Sequence, residues 1–232
     1  MEKKNILVIG GKLNENLNLS KIIDSFDEIF RCNLAAVGST NGYKFGSLAM
    51  CQHVYDRFVA NPIPKNEIMN FYGSEYESDF LNDWFDFFQK HQNDFKNIFH
   101  LNEYQQSEFN KILEEHGCPF RFSKMPTTGY SLIMTFLRDL SKEKNIFVSN
   151  FTIDRKERRK SAGVTEFQTN TENSGGGCHS FSDEIEIVRW LHQNKKIDAS
   201  LCLLNDTSEI SVNETDEGLE ISGFINDLIK NT

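Results

Sequence analysis

Apolar residues run together in "NILVIGG" (residues 5–11) and close on two glycines, the pattern of a strand buried on both faces of a parallel sheet. A polar stretch follows, then a short helix around 20–26 and a second strand, "DEIFRCN", over 27–33. The run "QHVYDRFVANP" (52–62) predicts a third strand, closed by Asn-Pro, which favours a turn. From 75 to 117, Phe and Trp recur at helical spacing among Asp, Asn and Gln, and "KNIFHL" reads as a short strand between two helices. Core packing accounts for those aromatics. Gly117 ends the second helix, and Pro119 keeps it from resuming.

The clearest unit spans 126–150: the turn "PTTG", an apolar helix, and the strand "NIFVSN". Next, 154–177 is polar, contains glycines and shows almost no apolar period, so 151–178 reads as a lid or loop within the domain. A helix over 182–195, a strand "ASLCLLN" over 199–205 and a last helix near 217–230 complete the pattern. Alternating strands and helices predict an α/β fold, a mostly parallel sheet with helices on both faces. The whole of 1–232 is expected to be one α/β domain with a short lid.

Composition narrows this picture in three ways. The hydrophobic fraction is only 38%, but 20 Phe residues supply enough area for a sizeable core. A net charge of -9 speaks against a nucleic-acid or anionic-membrane partner, and leaves room for a local basic pocket near "DRKERRK" (154–160). The five cysteines are scattered without a CxxC spacing, so neither a disulfide framework nor a metal site is expected. Residues 1–11 lack the apolar stretch of a signal peptide and no run approaches a membrane span, so the expected location is cytoplasmic.

Four places could carry chemistry. Gly10 and Gly11 end the first strand, where a glycine turn admits a phosphate or ribose, although the spacing is not GxGxxG. An NAD-binding oxidoreductase is therefore poorly supported. Asn33 and Asn61 follow the second and third strands and offer donor and acceptor to a base or sugar; each alone is an ordinary turn residue. Thr127 or Thr128 can cap the helix after "PTTG", and that helix N-terminus suits a phosphate or carboxylate. In "GGGCHSFSDEIEIVRW" (175–190), Ser180 or Ser182 caps the next helix and Asp183 and Glu184 occupy its first turn. His179 stands just outside the positive end of that helix. It is either a general base kept neutral there or a structural histidine at a helix entrance.

Together these stretches resemble the small bacterial sialyltransferases that decorate lipooligosaccharides. "FDEIFRCN" is similar to that family's "FDxxFRCN" strand, and Gly46, "ANP", "PTTG", "KNIFVSN" and "CHSFSDEIEIVRWL" follow in the family's order. The resemblance implies a Rossmann-like nucleotide-binding domain, the sialyltransferase variant of the GT-A fold, and metal-independent, inverting transfer of sialic acid, or another acidic sugar such as Kdo, from a CMP-sugar to a glycan hydroxyl. It implies no cofactor beyond the donor, and an acceptor glycan that can be lipid-linked. By position, His179 would be the base, and Asn33, Asn61, Ser149 and Asn150 would contact the nucleotide. Thr127, Thr128 and Gly129 would hold the donor at the helix N-terminus. The first turn departs from the family's Gly-Asn-Gly-Pro-Ser, and 151–178 lacks the usual tyrosines; Arg155, Arg158 and Arg159 would then stabilise the leaving phosphate. The alternative is an inactive relative that binds a nucleotide or glycan.

Overall fold

In the computed structural model, the described residues are 3–11, 18–32, 42–44, 46–51, 68–74, 89, 97–100, 106–151, 179–203, 210–215 and 218–223. Six strands form one sheet: β1 (Lys4–Ile9), β2 (Glu28–Cys32), β3 (Gly46–Cys51), β4 (Ile68–Ser74), β5 (Asn97–His100) and β6 (Lys144–Ser149). Their order is β5-β4-β3-β2-β1-β6, and every pair in it is parallel. Among the described residues, the helices with defined bounds are α1 (Ser20–Asp24), α2 (Gln106–Glu115), α3 (Thr128–Asp139), α4 (Phe181–Gln193) and the short α5 (Ser200–Leu203).

The unbroken apolar strands are explained by burial on both sides. Alternate residues of β1 serve different cores: Ile6 and Val8 pack with α2, α3 and α4, while Leu7 and Ile9 pack with α1 and Leu201 of α5. β6 divides likewise, Ile146 and Val148 to the first face and Phe147 to the second. Phe147 meets Phe26 edge to face at 5.0 Å, and on the other side Phe30 meets Phe136 at 4.6 Å. The α/β architecture with helices on both faces is therefore as expected. Among the described residues, no helix is long and apolar enough to cross a membrane.

Several local expectations are corrected. The third strand is Gly46–Cys51; the expected span 52–62 lies outside the described residues. Of the expected strand 199–205, the described residues 199–203 are not a strand, and 204–205 lie outside the described residues. Only Asp198 bridges Phe147, and its carboxylate then accepts the Ser200 N–H at 2.8 Å and the Ser200 hydroxyl at 2.5 Å, turning the chain into α5. In the tail, β7 (Ile210–Thr215) and β8 (Gly218–Gly223) pair as an antiparallel hairpin where a helix was expected. Ile210, Val212, Leu219 and Ile221 alternate with polar residues, and that period of two favours strands.

The motif arginine of β2 has a structural task. Arg31 is fully buried, and its guanidinium donates to Gly42 O at 3.3 Å and Lys44 O at 2.7 Å. Burial lowers it to about 10, against the opposing pull of Asp24. Asp24 in turn accepts the N–H groups of Tyr43 and Lys44, so α1, β2 and residues 42–44 are locked together.

Candidate functional site

Open parallel sheets bind ligands outside the carboxyl ends of their strands, where the strand order reverses. Here that point lies between β1 and β6, which are neighbours although far apart in the chain. The Gly10 N–H donates to Ser149 O at 2.8 Å, and a Cβ on Gly10 would stand 2.5 Å from Asn150 O. Glycine is required by this close approach. Gly11, next along, is exposed and has open space where its Cβ would be.

Across from Gly10, Ser149 and Asn150 are both buried, and Asn150 has φ 61, a left-handed conformation that asparagine tolerates better than most residues. The Ser149 hydroxyl donates to Asn150 Oδ1. Phe151 then turns its ring edge-on to Tyr130 at 5.4 Å. A Cβ on Gly129 would lie 2.7 Å from the Phe151 ring and 3.4 Å from Cys32 Sγ. The first turn of α3 is therefore laid directly over the ends of β2 and β6. Burial pushes the Cys32 thiol up to about 12, so it serves as packing rather than as a nucleophile.

Thus Gly10, Gly11, Thr127, Thr128, Gly129, Ser149 and Asn150 gather at one edge of the sheet. Thr127 occupies the N-cap position of α3 with extended backbone, but its side chain makes no capping bond; the cap expected from the sequence is absent. Its own N–H goes to Glu184 Oε1 of α4 at 2.5 Å. In a capping box, a glutamate of the same helix takes the N-cap N–H. Here the glutamate comes from a different helix.

That bond is one of four. Ser123 donates its N–H and hydroxyl to Asp183 Oδ2 at 2.8 and 2.5 Å, and His179 Nδ1 lies 2.8 Å from Met125 O. Ser123, Met125 and Thr127 alternate along the segment leading into α3, and the start of α4 grips each in turn. Ser180 sits at the N-cap of α4 with its hydroxyl 3.2 Å from that of Ser182 and forms no cap bond, contrary to expectation. Asp183 and Glu184, read from sequence only as first-turn acids, join α4 to the approach of α3 instead. Sequence reasoning missed this role, because the partners are 57 and 60 residues apart.

The clamp also sets the tautomer of His179. A carbonyl oxygen only accepts, so Nδ1 carries the hydrogen and Nε2 holds the lone pair of the neutral ring. Half-buried, His179 is thereby oriented with its basic nitrogen away from Met125. The arrangement combines a proton acceptor, a helix N-terminus with its positive potential, and a glycine turn that leaves room for a phosphate.

Burial alone would raise the Asp183 carboxyl, but the bonds from Ser123 and Ser180 and the nearby charge of Lys124 outweigh it and hold it below the ordinary aspartate value. A carboxyl lowered in the folded state contributes stability above its unfolded pKa and loses it as pH falls through the folded value. Thermal melts at about pH 5 and about pH 3 should therefore differ less for Asp183→Asn than for the unmodified chain, since unfolded aspartate titrates near ~3.9. An equal loss in both would show that the Asp183–Ser123 bond contributes nothing to folding.

Asn33, Asn61, Arg155, Arg158 and Arg159 lie outside the described residues, as does nearly all of 151–178. Among the described residues, no three His, Cys, Asp or Glu side chains come together as a ligand set.

No protein-family model matches the chain, and no curated protein matches it. Among solved structures, the crystal structure of a mammalian sialyltransferase superposes with TM-score 0.52 at 15% sequence identity, over 85% of this chain and 68% of that one. The chain has a sialyltransferase-like α/β fold.

Proposed function

We propose that the chain is a glycosyltransferase of the sialyltransferase type, which moves sialic acid or a related acidic sugar from a CMP-sugar to a glycan hydroxyl. The observation that carries this reading is the bond between His179 Nδ1 and Met125 O, which ties the imidazole to the segment leading into α3 and leaves Nε2 as its basic nitrogen. Nε2 takes the proton of the acceptor hydroxyl, the oxygen attacks the anomeric carbon from the face opposite CMP, and CMP departs with the bonding pair. The amides of the first turn of α3, with Thr127 and Thr128, hold the phosphate as its charge grows; Gly129 keeps that turn close to the strand ends.

Gly10, Gly11, Ser149 and Asn150 border the nucleotide in this reading. Asn33 and Asn61 supply polar contacts to CMP, and Arg155, Arg158 and Arg159 stabilise the leaving phosphate. No metal takes part. The mammalian sialyltransferase fold lends support, as does the approach of His179 to the N-terminal side of α3.

Incubation with CMP-sialic acid and a panel of glycan acceptors tests the proposal through CMP release and sialylated product. Release that depends on His179 supports it. CMP binding without turnover of any CMP-sugar would favour the second reading, an inactive relative that keeps the nucleotide pocket.

A further inference from the structure

At the edge opposite the candidate site, the amino ends of β1 and β6 and the turn after α4 border a cavity of about 300 Å³. Its charged lining is Lys3, Lys144, Lys195, Lys196, His192 and Asp198. Among the described residues the lining thus holds four lysines and a histidine beside one carboxylate, that of Asp198, 3.9 Å from His192 Nδ1, in a chain whose net charge is -9. The cations come from three separate stretches of sequence, so no one basic run explains them.

The acidic groups nearby are already engaged. Asp198 accepts from Ser200, and Glu28 takes Lys144 Nζ at 2.7 and 2.8 Å. Lys3 Nζ donates to Ser141 O at 3.1 Å, a neutral acceptor, and forms no ion pair among the described residues. Among the described residues, Lys195 and Lys196 form no side-chain hydrogen bond or ion pair. The charge of Lys196 is felt at His116, which is lowered first by burial and then by that lysine. His192 Nδ1 accepts the Ala199 N–H at 3.1 Å, so its ring hydrogen sits on Nε2 as a donor.

The backbone adds an independent observation. Lys195 has φ 56, and the turn around it is a Schellman motif: Lys195 N–H to His192 O at 3.0 Å, Lys196 N–H to Leu191 O at 2.8 Å. The same motif closes α2, where the left-handed position is Gly117, with φ 79. Glycine is the residue that turn prefers, and α4 carries lysine there at a conformational cost. Complementing the helix dipole would explain a cation in the last turn, but not one placed at the left-handed position. A task for that ammonium does explain it.

We propose that this cavity is an anion site that takes a phosphate group, carried by a small phosphomonoester or by a phosphate-bearing lipid headgroup. Lysines from three segments lining one cavity, joined by an imidazole N–H, suit an oxyanion with three or more acceptor oxygens. The volume accommodates more than the phosphate itself. Because it lies at the amino ends of the strands, the site is separate from the one that holds His179.

The test is calorimetric titration of the full chain with inorganic phosphate and glycerol 3-phosphate at constant ionic strength. Phosphatidylcholine vesicles with and without phosphatidic acid form the second arm. The expected result is saturable binding that weakens about tenfold in Lys195→Gly, the worth of one charge-assisted hydrogen bond, while the melting temperature stays level or rises. Binding of the soluble anions identifies a free phosphomonoester; binding confined to the acidic vesicles identifies a headgroup. Phosphate held at the donor site instead would be indifferent to Lys195→Gly. No saturable binding of any probe, or binding unchanged in Lys195→Gly, overturns the proposal.

Discussion

Replacing His179 by asparagine is expected to lower transfer from a CMP-sugar by roughly 10²–10⁴-fold, the usual contribution of a positioned general base. The affinity for CMP should stay unchanged. Asparagine is the informative choice because its side-chain N–H can still donate to Met125 O, as Nδ1 does at 2.8 Å, while nothing replaces the lone pair on Nε2. The clamp through Asp183 and Glu184 then remains, and with it the start of α3. Alanine would remove the base and the bond together and confuse the two. Steady-state kinetics beside CMP titration separates the roles: loss of turnover alone marks a base, and a matching loss of binding marks a structural histidine.

Gly10→Ala should damage both the fold and the site. The added methyl would stand 2.5 Å from Asn150 O, and that obstacle is backbone, held by the Gly10–Ser149 bond and by the left-handed Asn150. The ends of β1 and β6 must separate, at a cost of about 1–3 kcal/mol. For a chain of this size that is a fall in melting temperature of about 3–10 °C. CMP affinity should fall about tenfold as the crevice distorts. Gly11→Ala is the control, since nothing lies within 4 Å of its Cβ position. Equal melting curves for both variants would show that the approach of Gly10 to Asn150 is not tight in solution.

The parts of the fold that were legible in the sequence are those buried on both faces. β1, β2 and β6 show as apolar stretches because their residues feed both cores, and α3 shows as an apolar helix packed into the first of them. β4, "IMNFYGS", mixes polar and apolar residues without a period, and it was not anticipated. Residues 199–203 misled because Leu201, Cys202 and Leu203 serve a helical turn, a change dictated by the Asp198 carboxylate.

The candidate site divides in the same way. Gly10, Thr127 to Gly129, Ser149 and Asn150 follow strand ends and a helix start, so topology alone assembles them. The grip of α4 on 123–127 could not be foreseen, because Asp183 and Glu184 look like ordinary first-turn acids until their partners are known. Nor does a lysine signal a left-handed turn, as a glycine does at 117.

The central claim is a cytidine-nucleotide pocket at the carboxyl edge of β1 and β6. Calorimetric titration with CMP, with UMP and NAD as controls, tests it most directly. The expected result is saturable binding of CMP that is weakened by Gly10→Ala and retained by His179→Asn. Binding of none of the three, or equal binding of all three, would contradict it.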